Sequence, residues 1–413
     1  MKAERKDTMY IYDKLSKENL PEVFFRDSRE CFLDPYRQKL IIKTPEEIVR
    51  QKVASFFEHK FGVPKDMMRI EEPLVHFGLE NKDRADILIV RYEPKENLVY
   101  PLAVIECKAE DIILDDSAIE QAVRYSNALG SDYFFVTNGV DLYAYKYFED
   151  LVQYVPLEKI PTYKEMLGQE GSVLPERPIP PRTALNKLSS EDAIKCAIDN
   201  YFLGEDTSPV WFPYLINIFE AFLDVSHKIS VEDGKCIDLI QDYGIRHLSY
   251  GNAGGGTFPG PYRSLIVKSS NGDTQFVSLA MFETCRTEKP DSDAKTAICV
   301  AVDNFDSSHL SLELNVDDSF SIEDGKLVIR HSGRITVGNL GSARKSDLFA
   351  YIEEHAPELK IEKNRVFLGE LDMNELKYVD SPDMMNFIFN MVRYALVRDE
   401  FRSEYKKNHA NKM

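Results

Sequence analysis

Two carboxylates and an amine stand in apolar stretches of the sequence, where a charged side chain is costly to bury. Asp86 lies in ADILIV, and Glu106 and Lys108 lie in LAVIECKA. Residues two apart on a strand point to the same face, so Glu106 and Lys108 share a face while Cys107 points away. A buried charge needs a charged partner. We therefore expect Asp86, Glu106 and Lys108 to face one cleft and to satisfy one another.

These residue types predict a site for a hard divalent cation. Asp86 and Glu106, with the backbone carbonyl of Cys107, would supply the oxygen ligands that Mg²⁺ prefers, and Mn²⁺ is an alternative. Lys108 would hold the attacking water or help to deprotonate it. The metal would polarise a phosphoryl oxygen and lower the pKa of its bound water. The competing interpretation is a charge cluster that only stabilises a sheet, because an exposed sheet face shows the same alternation.

The segments around these residues predict a compact mixed α/β layer fold. Thr44-Pro45-Glu46-Glu47 is typical of a helix N-terminus, and helical spacing follows as far as a terminating glycine. RADILIVRY and LAVIECKA predict strands, Ser117 begins a helix that ends near Gly130, and YFFVTNG and DLYAYKYF predict two further strands. The first two strands are joined by a short polar connection, so their pairing would place Asp86 beside Glu106.

The length of 413 residues predicts two domains. Prolines concentrate in the middle of the chain, where RPIPPR in particular should be extended. We expect residues 1–155 to form the first domain, with a core at about 35–150, and residues 156–190 to form a proline-rich linker. Residues 191–413 are predicted to be a second, strand-rich α+β domain of unknown fold.

The sequence of the second domain predicts helices and strands but contains no recognisable catalytic motif. Helical patterns come first, strand patterns follow from about Tyr262 to Phe367, and a last helix covers roughly Asp383 to Lys407. It contains no nucleophile-base arrangement, metal-ligand spacing or phosphate loop. We hypothesise that it is a surface for a protein partner or for a second copy of the chain.

Composition limits the choice of partners and compartment. The net charge of −18 argues against a broad basic surface for nucleic acid, although a metal site needs carboxylates and the metal supplies local positive charge. The six cysteines are scattered without a CxxC pair, which predicts free, mostly buried thiols in a reducing compartment. Neither a signal peptide nor a membrane-spanning run is recognisable, so a cytoplasmic location is expected.

Five short motifs follow one another over about a hundred residues. They are Thr44–Gln51, Arg84–Asp86, Ile105–Ala109, Gln121 with Tyr125, and Val136–Gly139. Their order resembles the N-terminal nuclease domain of type I restriction enzyme R subunits, over about residues 35–150. The resemblance implies a restriction-endonuclease-like PD-(D/E)xK core that cuts DNA with Mg²⁺.

The resemblance also implies roles for individual residues. Asp86 and Glu106 would bind the metal, and Lys108 would serve the water. Glu47 would be the acid of the first helix, although the helix dipole alone favours an acid there. Gln121 and Tyr125 would be the QxxxY pair of the family, and their i, i+4 spacing lets both reach the site or a DNA phosphate. A core position for Tyr125 is the alternative.

The sequence departs from the family in two places. Ala85 stands directly before Asp86, where the pattern has proline. No GxxxxGK[ST] motif is present, because GNAGGGTF lacks the lysine and VGNLGSARKS has the wrong spacing, so we predict no ATP site. The chain is predicted to be a stand-alone metal-dependent endonuclease without the ATP-driven motor. The alternative is a catalytically silent module that uses the nuclease fold to bind nucleic acid or protein.

Overall fold

A computed structural model describes residues 9–77, 83–96, 98–168, 181–233, 237–251, 257–269, 271–284, 293–303 and 309–410. The chain divides into two compact units, residues 1–177 and 178–413. Each unit combines helices with sheets, so the fold class is mixed α+β. Over these ranges no helix is long and apolar enough to cross a membrane. Cys236, Cys285 and residues 252–256 of the glycine-rich segment lie outside the described residues.

The first unit alternates strands and helices along the chain. Its strands are β1 (Met9–Tyr10), β2 (Val23–Arg26), β3 (Arg29–Asp34), β4 (Lys39–Ile42), β5 (Met68–Pro73), β6 (Arg84–Glu93), β7 (Leu98–Cys107), β8 (Tyr133–Thr137), β9 (Asp141–Phe148) and β10 (Gln153–Pro156). Its helices are α1 (Tyr12–Leu15), α2 (Pro45–Phe61), α3 (Asp116–Leu129) and α4 (Tyr163–Leu167), with 3₁₀ turns at Lys65–Met67, Leu74–Phe77 and Glu149–Leu151.

Helix α2 begins and ends where its sequence predicts. The side chain of Thr44 accepts a hydrogen bond from the Glu47 amide, and Gly62 ends the helix in the left-handed conformation at φ 69°. The buried face packs against β6 and β7, and the ring of Phe57 lies 5.2 Å from that of Phe135 on β8. This helix therefore brings its first turn, with its acidic residues, to the central strands.

The described strands of this unit include one large sheet in the order β1-β9-β8-β7-β6-β5, with β10 paired to β9. Strands β7 and β8 are parallel and α3 connects them, whereas β6 pairs with β7 in the antiparallel direction. Ile87 is opposite Ile105 and Leu88 is opposite Val104. Extending this register by one residue places Asp86 opposite Glu106. The neighbouring strands predicted from the sequence are therefore confirmed.

A smaller sheet, β2-β3-β4, precedes α2 and was not anticipated from the sequence. It is tied to α2 through Asp34, whose side chain is fully buried at the end of β3. The Asp34 carboxylate accepts hydrogen bonds from Arg37 and, at 2.6 Å, from Nε2 of Gln51 on α2. The N-terminal sheet thus holds one side of the helix that carries Glu46 and Glu47.

The segment predicted as a linker, 156–190, contains ordered structure near its start. Helix α4 begins with a capping box between Thr162 and Glu165, and its buried Tyr163 donates a hydrogen bond to the Val90 carbonyl of β6. This stretch is helical because its prolines lie outside the helix. Residues 169–180 of the predicted linker lie outside the described residues.

The second unit contains a closed barrel, a smaller sheet and several helices. Its strands are β11 (Leu239–Gly251), β12 (Thr257–Lys268), β13 (Thr274–Thr284), β14 (Lys295–Val302), β15 (His309–Asn315), β16 (Phe320–Glu323), β17 (Lys326–His331), β18 (Ile361–Glu362) and β19 (Arg365–Leu371). Its helices are α5 (Glu191–Asp199), α6 (Phe212–Leu223), α7 (Val316–Ser319), α8 (Lys345–His355) and α9 (Pro382–Ala410), with 3₁₀ turns at Leu185–Lys187, Pro209–Trp211 and Gly338–Leu340.

The barrel β11-β12-β13-β14-β15 buries charged side chains on its first strand. Arg246 is 1% exposed and pairs with Asp303, and Asp242 pairs with Arg263 of β12. These polar residues interrupt the apolar alternation of β11, so the sequence pattern indicated strands only from about Tyr262. The first barrel strand was missed for this reason.

Candidate functional site

The antiparallel pairing of β6 and β7 brings the two predicted carboxylates together. Asp86 is 8% exposed and Glu106 is 2% exposed, so both are largely removed from water. The backbone amide of Cys107 donates a hydrogen bond to Oδ2 of Asp86 at 2.7 Å. This bond fixes the Asp86 carboxylate against the end of β7. For Cys107 the structure thus provides an amide contact with Asp86, and the metal-binding carbonyl stays a prediction.

Lys108 extends from the end of β7 toward Glu106 and helix α3. Its Nζ lies 2.7 Å from Oε1 of Glu106 and 3.1 Å from Oε1 of Gln121. The amide Nε2 of Gln121 is in turn 3.4 Å from the hydroxyl of Tyr125, one helical turn further on. The structure therefore joins Glu106, Lys108, Gln121 and Tyr125 in one chain of hydrogen bonds. Tyr125 is itself buried, as the core interpretation required.

Glu47 lies in the first turn of α2, where the sequence predicted an acid of the first helix. Its buried carboxylate accepts hydrogen bonds from Arg37, from Arg50 and, at 2.7 Å, from Nε2 of Gln51. It is linked to Asp86 through the guanidinium of Arg50. Glu47 thus binds cationic side chains next to the site. None of these hydrogen bonds joins it to Asp86, Glu106 or Lys108, and its catalytic role stays a prediction.

Asp86 also belongs to a cluster of three acids. Glu46, Glu71 and Asp86 each offer a carboxylate oxygen, and these oxygens lie within 4.8 Å of one another. Glu46 comes from the first turn of α2, and Glu71 comes from β5. The sequence indicated Glu46 only as part of the helix N-terminus and did not select Glu71. The acid cluster therefore draws on three elements, α2, β5 and β6.

Glu71 lies opposite Asp86 in the pairing of β5 with β6. Ile70 pairs with Ile87 and Glu72 with Ala85, so Glu71 occupies the intervening position. Its φ of 55° is unusual for a residue with a side chain, and such backbone strain is common at functional sites. The signal available in the sequence was the acid pair of RIEEPL just before the strand of Asp86, which becomes informative only once the register is known.

The charges at the site alter one another's pKa values. Burial and the charge of Asp86 raise the pKa of Glu106 to about 7, against the opposing effect of Lys108. Burial alone would lower the pKa of Lys108, but its hydrogen bond and ion pair with Glu106 raise it instead. The pKa of Arg50 is also raised, because the charges of Asp86 and Glu47 outweigh its burial. Lys108 and Arg50 are therefore cations in the folded protein.

The residues present fit a hard divalent cation. Oε2 of Glu106 is buried and accepts no hydrogen bond from the described part of the chain. A buried carboxylate oxygen without a partner carries a desolvation cost that a cation would remove. Oxygens of Asp86, Glu46 and Glu71 also lie within 4.8 Å of one another, and carboxylate oxygens are the ligands that Mg²⁺ and Mn²⁺ prefer.

The raised pKa of Glu106 predicts a pH-dependent stability for the metal-free protein. Its pKa is 4.5 in the unfolded chain and about 7 in the fold, so between these values the folded state binds more protons. This contribution is fully present below pH 4.5 and is lost as the pH rises toward 7, by at most about 1.4 kcal/mol per pH unit.

Urea unfolding of the wild type and of Glu106→Gln, in EDTA at several pH values from 4.5 to 8, measures this contribution. The free energy of unfolding of the wild type should fall relative to that of the variant as the pH rises. Parallel curves for the two proteins would show that Glu106 titrates normally.

Two strand carboxylates and a lysine therefore lie together at the end of β6 and β7. The family comparison gives the particular family: residues 45–161 match Type I restriction enzyme R protein N terminus (HSDR_N). Neither the curated proteins nor the solved structures contain a match to the chain. The resemblance inferred from the order of the motifs is confirmed over the matched segment. That segment includes α2, β5, β6, β7 and α3, and hence the acids of the site with Lys108, Gln121 and Tyr125.

Proposed function

We propose that the first unit is a metal-dependent nuclease that hydrolyses phosphodiester bonds of DNA. The observation that carries the proposal is the placement of Asp86 opposite Glu106, with Lys108 bound to Glu106 and an unpartnered oxygen left on Glu106. The family match supports DNA as the substrate and a restriction-endonuclease-like core as the fold.

Asp86 and Glu106 would hold Mg²⁺ or Mn²⁺. A bound divalent cation supplies polarisation of a phosphoryl oxygen and a bound water of lowered pKa. The amide of Cys107 orients the Asp86 carboxylate, so that one of its oxygens is fixed before metal binds. Glu106 must be ionised to act as a ligand, and its pKa of about 7 makes that state accessible near neutral pH.

Lys108 would act as a charged hydrogen-bond donor. Because its pKa is raised, it keeps its proton and is suited to hold the attacking water or a phosphate oxygen, rather than to remove a proton from the water. An ammonium has three N–H donors, and two acceptors are found on Glu106 and Gln121 among the described residues. Gln121, braced by Tyr125, keeps the amine at the edge of the site.

The proposal is tested by incubating the full chain with supercoiled DNA, linear duplex DNA, single-stranded DNA and RNA. Cleavage of DNA is expected with Mg²⁺ or Mn²⁺ and none with EDTA, because the reaction needs the cation to stabilise charge on the phosphate. Asp86→Asn, which keeps the shape but removes one ligand charge, should be inactive under the same conditions. A wild type that binds Mn²⁺ yet cuts none of these DNA substrates would refute the proposal.

A second candidate is a binding module without catalysis. One observation favours it: the guanidinium of Arg50 lies among Glu46, Glu71 and Asp86, so the carboxylates already have a cation. The net charge of −18 points the same way, since it disfavours broad contact with phosphates. Calorimetric titration with Mn²⁺ separates the candidates. Binding that Asp86→Asn abolishes supports the nuclease, and the absence of binding by the wild type supports the module.

A further inference from the structure

A single nitrogen atom of Arg50 occupies the centre of the acid cluster. Its Nη2 lies 2.6 Å from Oε1 of Glu46, 2.8 Å from Oε1 of Glu71 and 2.6 Å from Oδ1 of Asp86. The three carboxylates thus converge on one point, and a positive group stands there. Three carboxylate oxygens surround one point, as they would around a bound metal ion, and a guanidinium nitrogen occupies that point.

A divalent cation and this nitrogen cannot occupy the same position. Oxygen ligands lie at about 2.0–2.6 Å from Mg²⁺ or Ca²⁺, so a small contraction of these three side chains would suit a metal ion. Asp86 belongs to this cluster and also to the predicted pair with Glu106. Any metal ion that draws on Oδ1 of Asp86 therefore competes with Arg50 for that oxygen.

Arg50 also has a second anchor that a displaced guanidinium could keep. Its Nη1 pairs with Glu47, one turn away on the same helix. On the other side, the side chains of Glu46 and Glu71 are 47% and 30% exposed, so the cluster opens toward solvent. The guanidinium could therefore release Glu46, Glu71 and Asp86 while remaining bound to Glu47.

We propose that Arg50 is the internal counter-ion of a cation position formed by Glu46, Glu71 and Asp86, and that metal binding requires its Nη2 to leave that position. The inference rests on the proposed function, because it concerns the same metal site. It assigns Arg50 as a positioning residue that stabilises the metal-free fold and lowers the affinity for metal. Affinity for metal and retention of Arg50 in the cluster then oppose each other, as two ligands of one site must.

The experiment compares Mn²⁺ binding to wild type and Arg50→Gln by calorimetry, without DNA. We expect Arg50→Gln to bind Mn²⁺ at least about tenfold more tightly, since no internal cation competes. Metal-free Arg50→Gln should melt at a lower temperature than the wild type, because its carboxylates repel one another. Saturating Mn²⁺ should then raise the melting temperature of the variant more than that of the wild type.

Arg37→Gln is the matched control. Arg37 is another largely buried arginine, and it pairs with Asp34 and Glu47. Its removal should also lower stability, but Mn²⁺ affinity should stay near that of the wild type because the three carboxylates of the cluster keep Arg50. Equal gains in Mn²⁺ affinity for Arg37→Gln and Arg50→Gln would overturn the assignment, since the effect would then be one of general charge.

If Arg50→Gln does not fold, the comparison moves to Glu71→Gln with and without Arg50→Gln. The double variant removes one charge of each sign and should bind Mn²⁺ more tightly than Glu71→Gln alone. In either pair, unchanged or weaker binding without Arg50 refutes the inference even if the wild type cuts DNA. Tighter binding without Arg50, in a protein that cuts no DNA, upholds the inference and refutes the nuclease proposal.

Discussion

Lys108→Ala is expected to lower the rate of DNA cleavage by about 100- to 1,000-fold, the usual cost of losing one charge-stabilising donor. The fold should persist, because the Lys108 side chain is 25% exposed and lies at the end of β7. Mn²⁺ affinity should be retained or increased, since Glu106 loses a competing cation. This variant therefore separates chemistry from metal binding. Cleavage rates, Mn²⁺ calorimetry and melting temperature measure the three effects.

Lys95→Ala is the matched control for this variant. Lys95 is an exposed lysine in the turn between β6 and β7, on the same pair of strands but at their other end. Its removal should leave both the cleavage rate and Mn²⁺ affinity close to wild type. If Lys108→Ala cuts DNA as fast as Lys95→Ala does, the amine has no part in the reaction and the assigned site is wrong.

Arg263→Ala is expected to destabilise the second unit by about 3–5 kcal/mol, the cost of leaving a buried charge without its partner. Arg263 is 1% exposed, and its Nε lies 2.9 Å from Oδ1 of Asp242, which is itself 6% exposed. The same guanidinium donates hydrogen bonds to the carbonyls of Asp224 and His227. Its loss would leave the Asp242 carboxylate charged and enclosed.

Trp211 makes this prediction easy to measure. It is the single tryptophan of the chain and lies in the second unit, with its ring 5.7 Å from that of Phe320. Its fluorescence in urea follows the unfolding of that unit. The control is Lys326→Ala, because Lys326 and Glu370 form an exposed ion pair, and exposed pairs contribute little to stability. Similar losses of stability for both variants would mean that the buried pair of Arg263 and Asp242 contributes no more than an exposed pair.

Local sequence determined the elements of the first unit well. The cap at Thr44, the proline after it and the glycine at position 62 set α2, because each acts within a few residues of the chain. Apolar runs set β6, β7 and β8, and the cap at Asp115 with Gly130 set α3. The pairing of Asp86 with Glu106 followed from the short connection between their strands. These features depend on near neighbours, which a sequence displays directly.

Features that depend on distant pairing were not visible. Strand β11 was missed because Asp242 and Arg246 interrupt its apolar pattern, and they are tolerated only through partners on β12 and after β14. Helix α4 was hidden among prolines, and the sheet β2-β3-β4 has no strong alternation. In each case tertiary partners compensate for a weak local signal.

The same distinction between local sequence and distant pairing applies to the candidate site. Sequence by itself determined the residue types of Asp86, Glu106 and Lys108, and it placed Glu106 and Lys108 on one face, because spacing along a strand fixes which side chains share a face. The order of the five motifs carried the family resemblance. Only the tertiary structure placed Glu71 opposite Asp86 and put Nη2 of Arg50 among the acids. Those contacts depend on the register of β5 with β6 and on the packing of α2 over the sheet. Neither the register nor the packing can be inferred from the spacing of residues along one segment.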